Sequence, residues 1–90
     1  MKKILWDKRK SERLLKEQDR KVTFERCVVA IESGHILNNI ENPARNGQNI
    51  FILEIDDYAY VVPYVEDDNA MYFKTIYPSR KYAKLYLRQV

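Results

Sequence analysis

The sequence lacks the residue sets on which many classes of enzyme depend. It has one cysteine, Cys27, and one histidine, His35, so no intramolecular disulfide and no zinc site of paired cysteines and histidines can form. It contains no glycine-rich phosphate loop, no dinucleotide-binding glycine motif and no EF-hand loop. These absences disfavour nucleotide-dependent and metal-dependent catalysis, and we expect no cofactor and no metal.

Long apolar runs are also missing. The first one, residues 4–6, stops at Asp7, far short of a signal-peptide core or a spanning helix. A lone thiol is ordinary in a reducing cytosol. Because Cys27 lies on the apolar side of a predicted helix, we interpret it as a small core residue and not as a nucleophile. The expected location is the cytoplasm.

Positive and negative charges are segregated along the 90 residues, whose net charge is +3. Residues 1–26 hold ten Lys/Arg and five Asp/Glu, residues 27–73 hold one and eight, and residues 74–90 hold five and none. Basic ends that converge in space would form a phosphate-binding face, whereas the acidic middle would repel nucleic acid. The sequence therefore predicts that the two ends meet on one surface.

Periodicity predicts both helices and strands. Asp7 and Thr23 are expected to cap two helices, the second of which ends at Gly34. In residues 50–55 apolar positions alternate with a period of two, and the same alternation follows in residues 58–65 after a tight turn at "DD". The proline in the second of these strands is expected at a bulge or with its missing amide facing outward.

Residues 70–77 are predicted to form a further strand with Tyr72, Lys74 and Ile76 on one face. The expected architecture is a single α+β domain over residues 1–90. N-terminal helices and a C-terminal helix pack largely on one side of a three- to four-stranded antiparallel sheet, and the other side stays open.

The last helix carries a line of cations. Pro78 or Ser79 is expected to open it, and Arg80, Lys84 and Arg88 follow at positions i, i+4 and i+8 with no acidic residue in the helix. Basic residues near a helix C-terminus also complement the helix dipole, which is a structural alternative. Arg80 at the helix start opposes the dipole, so its presence suggests a role other than helix stability.

Tyrosine and lysine side chains on an open sheet face would suit single-stranded RNA, since aromatic rings stack on bases and cations bind phosphate. Tyr72 and Lys74 are the predicted pair. Tyrosine is also simply a good strand residue. His35 is either a general acid or base or a partly exposed capping residue behind Gly34.

Three stretches together resemble a known family. "WDKRK", "VTFE" at the start of an apolar helix, and "KTIYPSRKYAKLYL" are similar to motifs of the BrnT-type toxins of bacterial type II toxin–antitoxin modules. The resemblance implies a RelE-like fold, a metal-independent endoribonuclease activity that inhibits translation, and neutralisation by a small DNA-binding antitoxin of the ribbon-helix-helix type. The linker before "VTFE" is longer than usual and lacks the family's common histidine, so no role is assigned to that residue.

Site residues follow from the resemblance and from the charge pattern. Arg80 is the expected phosphate clamp, because a guanidinium can hold two phosphate oxygens. Lys74 and Lys81 would stabilise the transition state, and His35, Tyr77 or Glu25 would transfer protons. The expected RNA-binding residues are Lys84, Arg88 and Tyr72.

Two other functions remain open at this point. The same basic helix could belong to a non-catalytic RNA-binding or partner-binding module, or the chain could be a toxin aimed at a target such as DNA gyrase. An antitoxin segment rich in carboxylates is expected to cover the basic face.

Overall fold

The computed structural model describes residues 2–17 and 22–87, and these form three helices and six strands. The strands lie in one mixed sheet in the order β1-β5-β4-β3-β2, with β6 beside β4. The α+β class predicted from the sequence is confirmed. In chain order the elements are β1 (Lys3–Leu5), α1 (Lys8–Glu17), α2 (Phe24–Glu32), β2 (Ile36–Glu41), β3 (Asn49–Ile55), β4 (Tyr58–Glu66), β5 (Ala70–Phe73), β6 (Tyr77–Pro78) and α3 (Arg80–Tyr86).

The first two helices begin at the predicted caps. Asp7 Oδ1 accepts a hydrogen bond from the Arg9 amide at 2.9 Å, and Thr23 Oγ1 accepts one from the Arg26 amide at 3.1 Å. Each cap satisfies a backbone donor that has no partner within the helix.

Helix α2 ends at Gly34 as expected. Gly34 has a φ of +79°, a conformation that favours glycine. Its amide donates to the carbonyl of Ile31, and the next amide, that of His35, donates to the carbonyl of Ala30 at 2.8 Å. This pair of bonds is the Schellman motif, which turns the chain directly into β2.

The β3–β4 hairpin has the predicted turn and the predicted faces. Asp56 and Asp57 have φ values of 54° and 60°, as a two-residue hairpin of type I′ requires. Odd-numbered residues of β3 and even-numbered residues of β4 face α2, and their neighbours face the opposite side. Pro63 lies in β4 where its carbonyl accepts from Lys74 beyond the end of β5, so its missing amide interrupts no bond to β3.

The helices cover both faces of the sheet, and the prediction of an open face is wrong. Helix α2 packs on a core that contains Phe24, Leu53 and Tyr60. Helix α3 packs on the other face, where Tyr82, Ala83, Tyr86 and Leu87 lie against Ile50, Ile52, Ala59 and Val61. The apolar stripe of α3 predicts a buried side, but periodicity does not say which face of the sheet the helix will meet.

The sheet also has more strands than predicted. The expected three or four antiparallel strands become five hydrogen-bonded neighbours plus β6. The added edge strand β1 runs parallel to β5, with Lys3 opposite Ala70 and Leu5 opposite Tyr72. A partner this distant in sequence leaves no local signal.

The prediction for residues 70–77 is wrong in its faces. Strand β5 ends at Phe73, and the chain resumes strand pairing only at Tyr77 opposite Val61. Tyr72 is 37% exposed, whereas Ile76 is 1% exposed and belongs to the core beneath α2. The break between the two strands resets the alternation, so these side chains share no face.

Candidate functional site

A cleft of about 450 Å³ lies where α1, the β2–β3 loop and the segment between β5 and β6 meet. Its cations are Lys10, Arg45 and Lys74, one from each of these segments. We call it the basic cleft. The other residues that line it are Asn42, Ala44, Gln48, Pro63, Thr75 and Tyr77.

Asn42 organises the loop that carries Arg45. Its amide donates to the Gln48 carbonyl at 2.9 Å, and its side-chain Oδ1 accepts from the Ala44 amide at 2.9 Å. The Arg45 amide in turn donates to the Asn42 carbonyl at 3.3 Å. These bonds satisfy the polar groups of the loop internally, and the Arg45 side chain is left exposed.

Backbone pairing with β4 positions Lys74 and Tyr77. The Lys74 amide donates to the Pro63 carbonyl at 2.8 Å, and Tyr77 pairs with Val61. Tyr77 is 45% exposed. Desolvation raises the pKa of Tyr77, and the nearby Tyr82 adds to the rise, so the phenol remains protonated at neutral pH.

The basic cleft is suited to an anion. Among the described residues that line it none is acidic, and none of its three cations forms an ion pair with another described residue. Like charges that converge without carboxylates repel one another, and a bound phosphate would relieve that repulsion. The neutral lining groups, two carboxamides, a threonine and a tyrosine, can add hydrogen bonds.

The cations of α3 lie outside this lining. The Ser79 amide pairs with the Ala59 carbonyl, whereas the Lys74 amide pairs with that of Pro63. These two points are four residue steps apart along β4, a distance of about 13 Å. Arg80, at the first position of α3, is therefore displaced along β4 from the basic cleft.

The basic side chains of α3 lie at the surface, and one of them contacts a neighbouring ring. Arg80, Lys81 and Lys84 are exposed, and the Lys81 ammonium lies 5.3 Å from the centre of the Tyr82 ring. Ser79 is the cap, since its Oγ accepts from the Tyr82 amide at 3.2 Å. The predicted RNA-binding residue Arg88 lies outside the described residues.

His35 lies in a different, acidic cleft of about 570 Å³ between α2 and the β3–β4 hairpin. Glu54, Asp56 and Asp57 line this cleft. Its single arginine, Arg26, is bound to Asp56 through two hydrogen bonds of 2.8 and 2.6 Å. The acidic side chains of this cleft repel phosphate. His35 therefore lies in a site unsuited to RNA, and the structure does not bring it together with the basic cleft.

The other predicted residues are also separate. Glu25 lines a groove beside β1 and α1 together with Trp6 and Glu12. The Tyr72 hydroxyl donates to Asp67 at 3.4 Å on the exposed side of β5. Of the predicted catalytic residues, Lys74 and Tyr77 are thus the two that lie in the basic cleft.

Sequence reasoning missed two residues of the cleft. Arg45 had a detectable signal, because it is the one Lys or Arg among the eight acidic residues of 27–73. Lys10 is the last residue of "WDKRK", one of the stretches that resemble the toxin family, but its charge alone did not distinguish it from the other cations among the ten of the first 26 residues.

Comparison of the chain with protein-family models, with curated proteins and with solved structures found no match. Within residues 2–17 and 22–87, no three His, Cys, Asp or Glu side chains are arranged to hold a metal ion. None of the described helices is long and apolar enough to cross a membrane.

Proposed function

We propose that this chain is a RelE-like toxin of a type II toxin–antitoxin module, and that it cleaves RNA without a metal in the basic cleft. The observation that carries the proposal is the convergence of Lys10, Arg45 and Lys74 from three separate segments, beside Tyr77 and without a lining carboxylate. The resemblance of "KTIYPSRKYAKLYL" to the BrnT-type toxins supports the same function and includes two of these residues.

RNA cleavage suits a site of this composition because the substrate supplies its own nucleophile. The 2′-hydroxyl attacks the adjacent phosphorus and loses its proton to water, the bond to the 5′ oxygen breaks, and a 2′,3′-cyclic phosphate and a 5′-hydroxyl result. The three cations would stabilise the added charge on the phosphorane. Tyr77, protonated at neutral pH, would donate a proton to the departing 5′ oxygen.

A non-catalytic RNA-binding module is the second candidate, and one observation favours it. No histidine or carboxylate is among the described residues that line the basic cleft, so no ordinary general base is at hand for the 2′-hydroxyl proton. In this second function the same cations bind the phosphate and no bond breaks.

Incubation of the purified chain with end-labelled single-stranded RNA distinguishes the two functions. Products that end in 2′,3′-cyclic phosphate are expected from the ribonuclease, and a shifted but intact RNA from the binding module. RNA that is neither cut nor bound would contradict both proposals.

A matched pair of variants locates the site. Lys74→Ala removes a cleft cation, and Lys84→Ala removes an exposed lysine of α3 outside the cleft. Loss of one charge-assisted phosphate contact is expected to lower cleavage or affinity about tenfold or more in the first variant, and to change it little in the second. If Arg80→Ala abolishes the activity while Lys74→Ala retains it, the phosphate binds at the start of α3 and not in the basic cleft.

Tyr77→Phe tests the proton transfer. It should reduce the rate of cleavage while RNA affinity stays close to that of the unaltered protein, because the ring remains and only the hydroxyl is lost. Equal losses of rate and affinity would assign Tyr77 to binding alone.

The proposed protein partner is a small ribbon-helix-helix antitoxin with a carboxylate-rich segment. Charge complementarity with the basic cleft supports this chemistry. Complex formation should weaken strongly as salt concentration rises, and binding that is indifferent to salt would point to an apolar interface elsewhere.

A further inference from the structure

A second cleft, of about 280 Å³, adjoins the basic cleft at the β2–β3 loop. We call it the loop pocket. Three of its lining residues, Asn42, Arg45 and Gln48, also line the basic cleft, and the others are Glu41, Asn46, Gly47 and Asn49. Asn42 Nδ2 donates to Gln48 Oε1 at 3.3 Å, which fixes the shared wall. A nucleotide whose phosphate lies in the basic cleft therefore has its base within reach of the loop pocket.

The loop pocket differs from the basic cleft in charge. Glu41, the last residue of β2, is exposed, and its carboxylate forms no hydrogen bond or ion pair with another described residue. A carboxylate repels phosphate, so an RNA backbone would stay beside Lys10, Arg45 and Lys74. The loop pocket is left for a neutral group of the same RNA chain.

The residues around Glu41 add a hydrogen-bond donor and open space. Asn49 stands opposite Glu41 in the β2–β3 pairing, so the two side chains lie on one face of the sheet. The Asn49 carboxamide hydrogen-bonds the Tyr64 hydroxyl, and since this group has two N–H donors, one is left for a ligand. Asn46 is exposed, and Gly47, with a φ of +80° and no side chain, leaves open space above its backbone. A flat polar ring can therefore enter beside the carboxylate.

The chemistry of a carboxylate distinguishes guanine from the other bases. A carboxylate accepts through two oxygens and donates nothing. The Watson–Crick edge of guanine carries two adjacent donors, N1–H and the N2 amino group, whereas each of the other RNA bases sets a donor beside an acceptor on that edge. An acceptor that faces a carboxylate is repelled and left unpaired, so Glu41 rejects those bases.

We propose that the loop pocket binds an unpaired guanine next to the phosphate in the basic cleft, an inference that rests on the RNA function proposed above. The Glu41 carboxylate accepts from N1–H and from the N2 amino group, and Asn49 donates to O6. Arg45, which lines both clefts, binds the phosphate and fixes the base relative to it. Because these contacts occupy the edge used in base pairing, the recognised guanine must be single-stranded.

Nucleoside 3′-monophosphates test the loop pocket without any cleavage. Calorimetric titration of the full chain should give guanosine 3′-monophosphate an affinity about tenfold above that of the adenosine compound, since a bidentate base contact discriminates by roughly that factor. The inosine compound keeps N1–H and O6 but lacks the N2 amino group, and it should bind with intermediate affinity. Equal affinities, or no binding of any of the three, would overturn the proposal.

Glu41→Gln replaces the pair of acceptors by one acceptor and one donor at nearly the same size. It should remove the preference for guanosine over adenosine 3′-monophosphate, while the affinity for RNA does not fall because an anion near the phosphates is lost. Glu32→Gln removes an exposed carboxylate of α2 outside both clefts and serves as the matched control, which should keep the preference. A guanine preference that survives in Glu41→Gln would contradict the role of Glu41.

Single-stranded RNA with one guanine among other bases separates this inference from the proposed function. Cutting or binding that is lost when adenine replaces the guanine supports both. Cutting or binding that is indifferent to this replacement retains the proposed function and overturns guanine recognition. RNA that is neither cut nor bound contradicts the proposed function, and the nucleotide titration then decides the loop pocket by itself.

Discussion

The two faces of the sheet are built very differently. Among the described residues, twelve buried ones form one cluster on the α2 face. The half-buried Trp6 packs against this cluster, and its ring stacks on Phe24 at 5.6 Å and on Phe73 at 6.4 Å. On the α3 face four buried residues form the cluster, and α3 itself contributes none that is fully buried. The α2 face therefore contains most of the apolar surface that folding removes from water.

The difference has a consequence for function. Helix α3 is attached by half-buried side chains such as Tyr82 and Tyr86, and by the hydrogen bond from Asn38 to the Tyr86 hydroxyl at 2.8 Å. Its outward side carries cations and the 54% exposed Leu85. We infer that the α2 face stabilises the fold, and that the α3 face leaves exposed surface for charged ligands.

Adjacent residues of β3 give the most direct test of this difference. Leu53 and Ile52 are both fully buried, the first on the α2 face and the second on the α3 face. Leu53→Ala should lower the free energy of unfolding by about 4 to 5 kcal/mol and Ile52→Ala by about 2 kcal/mol, because the thinner layer can collapse onto the cavity. Urea unfolding followed by circular dichroism measures both. Equal losses would mean that the two faces are equally rigid.

The buried thiol of Cys27 should make the stability of the α2 face depend on pH. Desolvation raises the pKa of Cys27 from 9.0 to about 12. The unfolded chain therefore loses this proton at lower pH than the folded chain, and the free energy of unfolding should fall as pH rises from about 9 towards about 12. Urea unfolding at increasing pH measures the fall.

Cys27→Ala is the control for this prediction. Its free energy of unfolding should depend less on pH in the same range, although burial also raises the pKa of Tyr64 and leaves a part of the dependence. A variant with an unchanged alkaline slope would show that Cys27 is not the group responsible.

Local sequence signals predicted most of the α2 face of the sheet. Thr23 and Gly34 bound α2 by cap chemistry that depends on single residues, and the hairpin at Asp56 and Asp57 follows from tolerance of positive φ. The alternation in β3 and β4 separated the two faces correctly. These features depend on interactions within a few residues or between adjacent strands, so the sequence contains them directly.

The α3 face and the basic cleft depend on contacts between residues far apart in sequence, which is why they were predicted less well. The side on which α3 docks and the pairing of β1 with β5 are decided by tertiary packing. The basic cleft joins Lys10 to Arg45 and Lys74, residues far apart in sequence. A linear pattern of cations favoured Arg80 and its neighbours on α3, because spacing along a helix is visible in a sequence and convergence of three segments is not.

The two helix caps offer a finer comparison of the faces. Thr23 accepts from the Arg26 amide at 3.1 Å and Ser79 from the Tyr82 amide at 3.2 Å, so the local geometry of the two bonds is nearly the same. Each alanine variant should weaken its own helix start by about 1 kcal/mol. Only Thr23→Ala should transmit that loss in full to global unfolding, because α2 is anchored by buried residues.

For Ser79→Ala we expect a smaller loss of global stability and faster hydrogen exchange confined to α3, since a helix without a fully buried residue can open locally while the rest stays folded. Thr23→Ser and Ser79→Thr keep the accepting hydroxyl and should remain close to the unaltered protein. A global loss from Ser79→Ala as large as that from Thr23→Ala would mean that α3 unfolds together with the core. The exposed cations of α3 would then belong to the rigid body of the molecule and not to a loosely attached helix.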